Sequence, residues 1–280
     1  MTPSEDNDAV RPKWRGPGRD EPFYIGLVIL SSFYVLLIVA MLLADIFYAS
    51  AHVDTVWATL ATDEIRYAIW LSLVSCCISA IMSLWVAIPI GYLLSRVDFR
   101  GKSLVDALLD VPIFLPPLVI GLSLLILFHV PPLSALSQRF PIALNPPAVV
   151  IAQFAVASAF AVRTMRHTFD SISPRVEQVA LTLGCRRSQA FFEVVMPQAW
   201  RGVLTAGTLA WARSLGEFGP ILVFAGSTRK RTEVLPVSVH LELSIGNIEG
   251  AVGVSMLMVV VAIVVLVTVR ALGGADSRVW

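Results

Sequence analysis

Charge is scarce in this 280-residue sequence. Asp, Glu, Lys and Arg make up 15% of it, where soluble domains carry about 25%. The net charge of +1 leaves no basic surplus for nucleic acid. Cys76, Cys77 and Cys185 form no Cys-x-x-Cys pair, which excludes a disulfide framework or a thiolate zinc site. His52, His129, His167 and His240 include no i, i+4 pair, so no metal site is indicated. Gly101-Lys102-Ser103 looks like the end of a phosphate-binding loop, but Arg96 stands where that motif needs its first glycine. Neither His-Glu-x-x-His nor Gly-x-Ser-x-Gly occurs. The chain is therefore not expected to hydrolyse ATP, to hold a cofactor or to be an enzyme.

Apolar residues are abundant instead, at 56%, with a mean hydropathy of +0.77. A spanning helix needs about 20 apolar residues, because lipid offers no partner to an unsatisfied backbone group. Six segments come near that length: 22–44, 67–95, 104–128, 146–162, 202–224 and 250–269. The second is longer than a perpendicular crossing requires, which implies tilt. The third begins with Asp106 and Asp110, the fourth is short, and the fifth contains Arg213 and Glu217. An even number of spans puts both termini on one side. With the N-terminus inside, basic residues favour the cytoplasmic segments over the outer loops by three to one, so both termini are expected to be cytoplasmic. Ala49-Ser50-Ala51 resembles a leader cleavage site, but the preceding apolar run is longer than a leader's, and the first helix (22–48) is expected to be retained. The expected organisation is an all-α polytopic membrane protein. It has a disordered cytoplasmic tail (1–21), that first helix, a core of five spans (66–272) and a second tail (273–280).

The longest stretch outside the spans, about 163–201, is cytoplasmic. Ser173 is a good N-cap, and Pro174 suits a first helical position, where a missing N–H costs nothing. Val176, Val179, Ala180 and Leu183 fall at i, i+3, i+4 and i+7, and Gly184 is placed to end the helix in a left-handed turn. A second short helix is expected through Phe191, Phe192, Val194 and Val195 to Pro197. The apolar faces either find a partner or rest on the spans and the lipid interface. Within the spans, Arg213 and Glu217 share one helix face. They either fix helix packing or line a polar path. Asp106 and Asp110, near the cytoplasmic boundary, are expected to be solvated or paired with Arg100 or Lys102. Pro112, Pro116 and Pro117 are expected to kink the third span.

The cytoplasmic stretch resembles the Glu-Ala-Ala-x3-Gly-x9-Ile-x-Leu-Pro loop of ABC importer permeases. The match runs through Ala180, Gly184, Val194 and Met196-Pro197, with Gln178 and Val179 at the first Glu and Ala positions. Glu177 stands one residue before the usual glutamate and is a candidate to substitute for it. Ala212-Arg213-Ser214-Leu215-Gly216-Glu217-Phe218-Gly219 resembles the signature of molybdate, tungstate and sulfate permeases within that group, and Pro116-Pro117 fits their third span. The resemblance implies a type I permease, multi-pass in a bacterial or archaeal inner membrane and working as a homodimer. It implies an ABC ATP-binding subunit that docks on a coupling loop (173–197) with Glu177, Gln178, Ala180, Gly184, Val194 and Pro197. It also implies an external solute-binding protein, and a translocation path or dimer interface at Arg213, Ser214, Glu217, Gly219, Pro116 and Pro117. The expected cargo is a tetrahedral oxyanion, molybdate or tungstate ahead of sulfate. A polyamine, thiamine or iron is the alternative, and a channel or membrane enzyme without an ATPase partner is a rival of another class. Arg229, Lys230 and Arg231, on the outer side, are either a solvated loop or a landing site for an anion-carrying binding protein.

Overall fold

The structure, a computed structural model, describes residues 21–274; the tails expected over 1–21 and 273–280 lie almost wholly outside them. Helix α1 (Glu21–Ala51) is exposed along nearly its whole length, and its apolar residues point in every direction. A helix with that surface is built for lipid. After α2 (Val53–Leu60), Thr62 caps α3 (Asp63–Arg96) by accepting from the Ile65 N–H at 3.4 Å, and Asp63 and Glu64 suit its positive end. At 34 residues α3 is about 51 Å long, well beyond the thickness of a bilayer core, a length that calls for tilt or for ends that project beyond it.

The expected third span is broken more sharply than a kink. Helices α4 (Lys102–Phe114) and α5 (Pro117–His129) meet at 112°. Each proline of Pro116-Pro117 drives the residue before it out of the helical region, and Leu115 and Pro116 accordingly have ψ of 139° and 133°. The short α6 (Leu133–Arg139) leads to α7 (Pro146–Ser171). Helix α7 continues over two turns past the apolar run expected to end at Val162. It can do so because Arg163 and Arg166 find carboxylates on α4, so the charges do not end the helix.

The segment after α7, expected to be cytoplasmic, holds α8 (Pro174–Thr182) and the single turn α9 (Arg187–Gln189). The separate second helix expected up to Pro197 does not exist. Residues Ala190–Val195 form a widened π turn that runs directly into α10 (Met196–Leu215). The Met196 N–H bonds five residues back to Phe191, and this wider turn lets the chain enter α10 with Pro197 in its first turn. The expected fifth span is also divided. Gly216–Phe218 separate α10 from α11 (Gly219–Phe224), and α12 (Leu235–Ser244) and α13 (Ile248–Gly274) follow. Among the described residues four helices are long and apolar enough to cross a membrane (α1, α3, α7 and α13), and α4 with α5 makes a fifth if the broken pair counts as one span.

Helices α3, α7 and α10 form the core. Their facing residues are small: Cys76, Ala80, Ala87, Ala157, Ala161, Ala199, Ala206 and Ala210 are buried. Lipid gives helices no hydrophobic reason to associate, so close packing of such residues supplies the attraction. A Cβ on Gly91 would lie 2.9 Å from the Arg166 backbone N, and one on Gly202 would lie 2.1 Å from Thr168 Cγ2. A second cluster around Val149, Ile221, Phe224, Val234 and Val237 joins α7, α11 and α12.

Candidate translocation cavity and coupling loop

Arg213, in the last turn of α10, and Glu217, just beyond it, make an ion pair at 2.5 Å. The Glu217 side chain is 1% exposed and that of Arg213 29%, so the carboxylate faces inward and the guanidinium looks into a cavity. Arg213 also lies 5.6 Å from the Phe160 ring centroid, a cation–π contact from α7. The cavity, about 350 Å³, is lined by this pair, by Pro116 and Pro117 at the break between α4 and α5, and by Gly216, Phe218 and Gly219. Gly219 is required there: a Cβ would come within 2.9 Å of Pro117 Cβ and 3.2 Å of the Leu118 backbone N. The α5 N-terminus opens on the same space and adds the positive end of its dipole.

Five of the six residues expected on the path thus meet in one place. Ser214 does not. It is 1% exposed, with its hydroxyl 3.0 Å from that of Ser79 and its carbonyl accepting from Gln153 Nε2 at 3.2 Å. Sequence reasoning missed Ser79, Gln153 and Phe160. A signal for the first did exist, since Ser72, Ser75, Ser79 and Ser83 recur every three or four residues along α3 and are all buried.

Asp106 and Asp110 do not pair with Arg100 or Lys102. Asp106 binds Arg166, Asp110 lies 3.9 Å from Arg163, and Lys102 instead holds Asp98 at 2.7 Å. The Lys102 ammonium holds the Asp98 carboxyl below its ordinary pKa, mainly by donating a hydrogen bond to it.

In the candidate coupling loop, Ser173 caps α8 by accepting from the Arg175 N–H at 3.4 Å. Gly184 ends it at φ +93°, with the Cys185 N–H bonded to Ala180 and the Gly184 N–H to Leu181. The expected apolar face is split. Ala180 is buried beside Glu177, whereas Val176, Val179 and Leu183 are exposed together with Gln178. Glu177, expected as a candidate for the glutamate position, is turned inward and bonded to Tyr92, while Gln178 is on the exposed side. Val194 is half-buried in the π turn and Pro197 is exposed. Gly184→Val is expected to cost about 1–2 kcal/mol, the penalty of a left-handed residue with a Cβ, because nothing lies within 4 Å of that position to clash. Faster hydrogen exchange over residues 174–183 checks this.

The basic cluster Arg229 to Arg231, expected on the outer side, is internally paired. Arg229 Nη2 reaches Glu242 at 2.9 Å, Lys230 Nζ reaches Glu64 at 3.0 Å, and Arg231 donates to Asn145 Oδ1 at 2.6 and 3.2 Å. Asp63, Glu64, Glu233 and Glu242 stand around these three cations, so little positive field remains to steer an anion carrier. Replacing Arg229, Lys230 and Arg231 together by Gln is expected to leave the salt dependence of uptake unchanged and to lower thermal stability modestly. A flattened salt slope in vesicles would restore the steering role.

Apolar helices, a core of small residues, a cavity with one ion pair at a broken span and an amphipathic loop helix define a multi-pass membrane transport subunit. The sequence match agrees in kind. The family described as binding-protein-dependent transport system inner membrane component matches residues 87–275, and the chain belongs to it, among the permeases of ABC importers. Its relatives include the molybdate/tungstate transport system permease protein of Pyrococcus abyssi, 33% identical over 74% of this chain and 79% of that one. The molybdenum transport system permease protein of Mycobacterium tuberculosis is 33% identical over 79% and 86% of the two chains, and a sulfate transport system permease protein of Escherichia coli is 27% identical over 79% and 81%. Among solved structures, a chain of a bacterial alginate ABC transporter, crystallised with its pentasaccharide-bound periplasmic protein, has the same fold, with TM-score 0.75 at 15% identity over 93% and 96% of the two chains. The inward-facing MetNI methionine transporter gives 0.63 at 17%, over 78% and 100%.

Proposed function

We propose that this chain forms the membrane pathway of an ATP-driven importer for a tetrahedral oxyanion, molybdate or tungstate ahead of sulfate. In this reading α10 with α11 completes a sixth span, both termini are cytoplasmic, and two copies enclose the path. A separate ATP-binding subunit hydrolyses ATP, and an external binding protein delivers the anion. The observation that carries the reading is the bare apolar face of the coupling loop. Val179 is 57% exposed, Leu183 80% and Phe192 68%. Burying one such side chain stabilises by about 1.5–3 kcal/mol, so the face is a ready dock for a cytoplasmic partner. ATP-driven closure of that partner would move α8 and open the path outward, since nucleotide supplies the differential binding energy an alternating cycle needs.

The substrate class is supported by the relatives and by the chemistry of the cavity. Arg213 offers hydrogen bonds to an oxyanion and the α5 N-terminus a favourable dipole, while Glu217 cancels the charge that would trap it; a path must bind weakly enough to release. Leu183→Asp is expected to weaken co-purification of the ATP-binding subunit at least tenfold without loss of folded permease. Undiminished association would sink the docking assignment. Uptake of molybdate, tungstate and sulfate in competition, with binding protein added to reconstituted vesicles, tests the cargo.

A further inference from the structure

The cytoplasmic end of α3 holds the coupling helix by contacts that its docking role does not require. Tyr92 Oη donates to Glu177 Oε1 at 2.6 Å, and Arg96 Nε lies 3.5 Å from Glu177 Oε2. Arg96 Nη2 also donates at 2.8 Å to the carbonyl of Ile172, the residue joining α7 to α8. The Tyr92 ring meets Phe191 of the π turn edge-on at 4.7 Å and Phe169 of α7 at 5.6 Å. Two residues one turn apart on α3 therefore grip α7, α8 and the π turn together.

Glu177 is 9% exposed, and a buried carboxylate is costly unless it is fully partnered. Here it has a hydroxyl and a guanidinium, both from α3. Without them α8 would be held by its two connections, Ile172-Ser173 on one side and the Gly184 turn at φ +93° on the other, and by the packing of Ala180 and the rest of its inner side on the π turn. A push on the exposed face of α8 would then reach the π turn and α10 without being passed to α3. With them, α3 moves when α8 moves. The tight crossing at the adjacent Gly91, where a Cβ would lie 2.9 Å from the Arg166 backbone N, carries the displacement on to α7.

We infer that Tyr92 and Arg96 are positioning residues that clamp the coupling helix through Glu177, so that the ATPase stroke reaches span α3 directly and not only along the chain. This rests on the reading of α8 as the ATPase-docking helix, and the two can fail separately. The test uses the full chain reconstituted with an ATP-binding subunit and binding protein, comparing wild type, Tyr92→Phe, Glu177→Gln and their combination. Tyr92→Phe keeps the ring contacts and removes one hydroxyl; Glu177→Gln keeps the shape and removes the charge. Losing one hydrogen bond to a charged group is expected to lower solute transported per ATP by about tenfold or more, with ATPase association unchanged. In the permease alone, amide exchange across residues 174–183 should quicken by a similar factor. Unchanged transport per ATP and unchanged exchange in the double variant would overturn the clamp. Loss of ATPase association in these variants would overturn it too, since Glu177 would then act in docking. The docking reading is judged independently by Leu183→Asp, because retained association in that variant removes the dock while the exchange result still reports on the clamp.

Discussion

Arg213→Ala is expected to abolish uptake and to reduce the yield of folded permease. It leaves Glu217, 1% exposed, without its cation at membrane depth. Removing one member of a buried pair typically costs 3–5 kcal/mol, and the partial exposure of Arg213 puts this case near the lower end, at about 3 kcal/mol. The informative variant is Arg213→Ala/Glu217→Ala, which removes both charges. Folding should recover, because no uncompensated carboxylate remains, while uptake stays lost, because the cavity beside Pro116 and Pro117 no longer offers a guanidinium. Recovery of uptake along with folding would assign the pair to helix packing alone. The measurements are yield of monodisperse protein in detergent and initial uptake rate in vesicles.

Gly202→Leu should be the most damaging single change at an uncharged position. An added Cβ would lie 2.1 Å from Thr168 Cγ2, 2.2 Å from its Oγ1 and 2.6 Å from its Cβ. Thr168 is itself fixed, its hydroxyl donating to the Thr164 carbonyl at 2.9 Å, so α7 and α10 would have to separate. Overpacking in a core that relaxes costs about 1–3 kcal/mol, and prying apart a helix crossing exceeds that range. Little folded protein is expected. Two glycines serve as controls. Gly207→Ala meets only the flexible end of Leu84 at 3.0 Å, and Gly26→Ala meets nothing within 4 Å. Both should give near-normal yields, and a folded, active Gly202→Leu would mean that the crossing is looser than these distances imply.

Much of the loop around α8 could be read from the sequence because capping and turn chemistry is local. Ser173, Pro174 and Gly184 each act within a few residues of themselves, and α8 starts and stops where they direct. The broken third span was legible only in part. Pro116-Pro117 announced a disruption, yet whether two prolines kink a helix or turn it by 112° depends on what receives the turned half, here Gly219 and Pro220 packed against Pro117 and Gly121. The second short helix was misread for a related reason. Pro197 looked like a terminator, and the π turn that lets the helix pass it leaves no sequence signature.

What the sequence determined by itself is set by contiguous residues: long apolar runs that suit only a membrane, the ends of α8, the Arg213–Glu217 pair one turn apart, and the motif that marks the family. What only the tertiary structure decided is which distant groups meet. Asp106 finds Arg166 across 60 residues, Tyr92 finds Glu177 across 85, and Ser79 finds Ser214 across 135. Periodicity states that a face exists, but not which side of α8 turns inward. The inward side carries Glu177 because Tyr92 and Arg96 wait there to satisfy it. The apolar Val179 and Leu183 are left outside because within this chain the buried side is already filled by that carboxylate and Ala180. Desolvation makes a buried charge follow its partners, and those partners are placed by how α3 crosses α7.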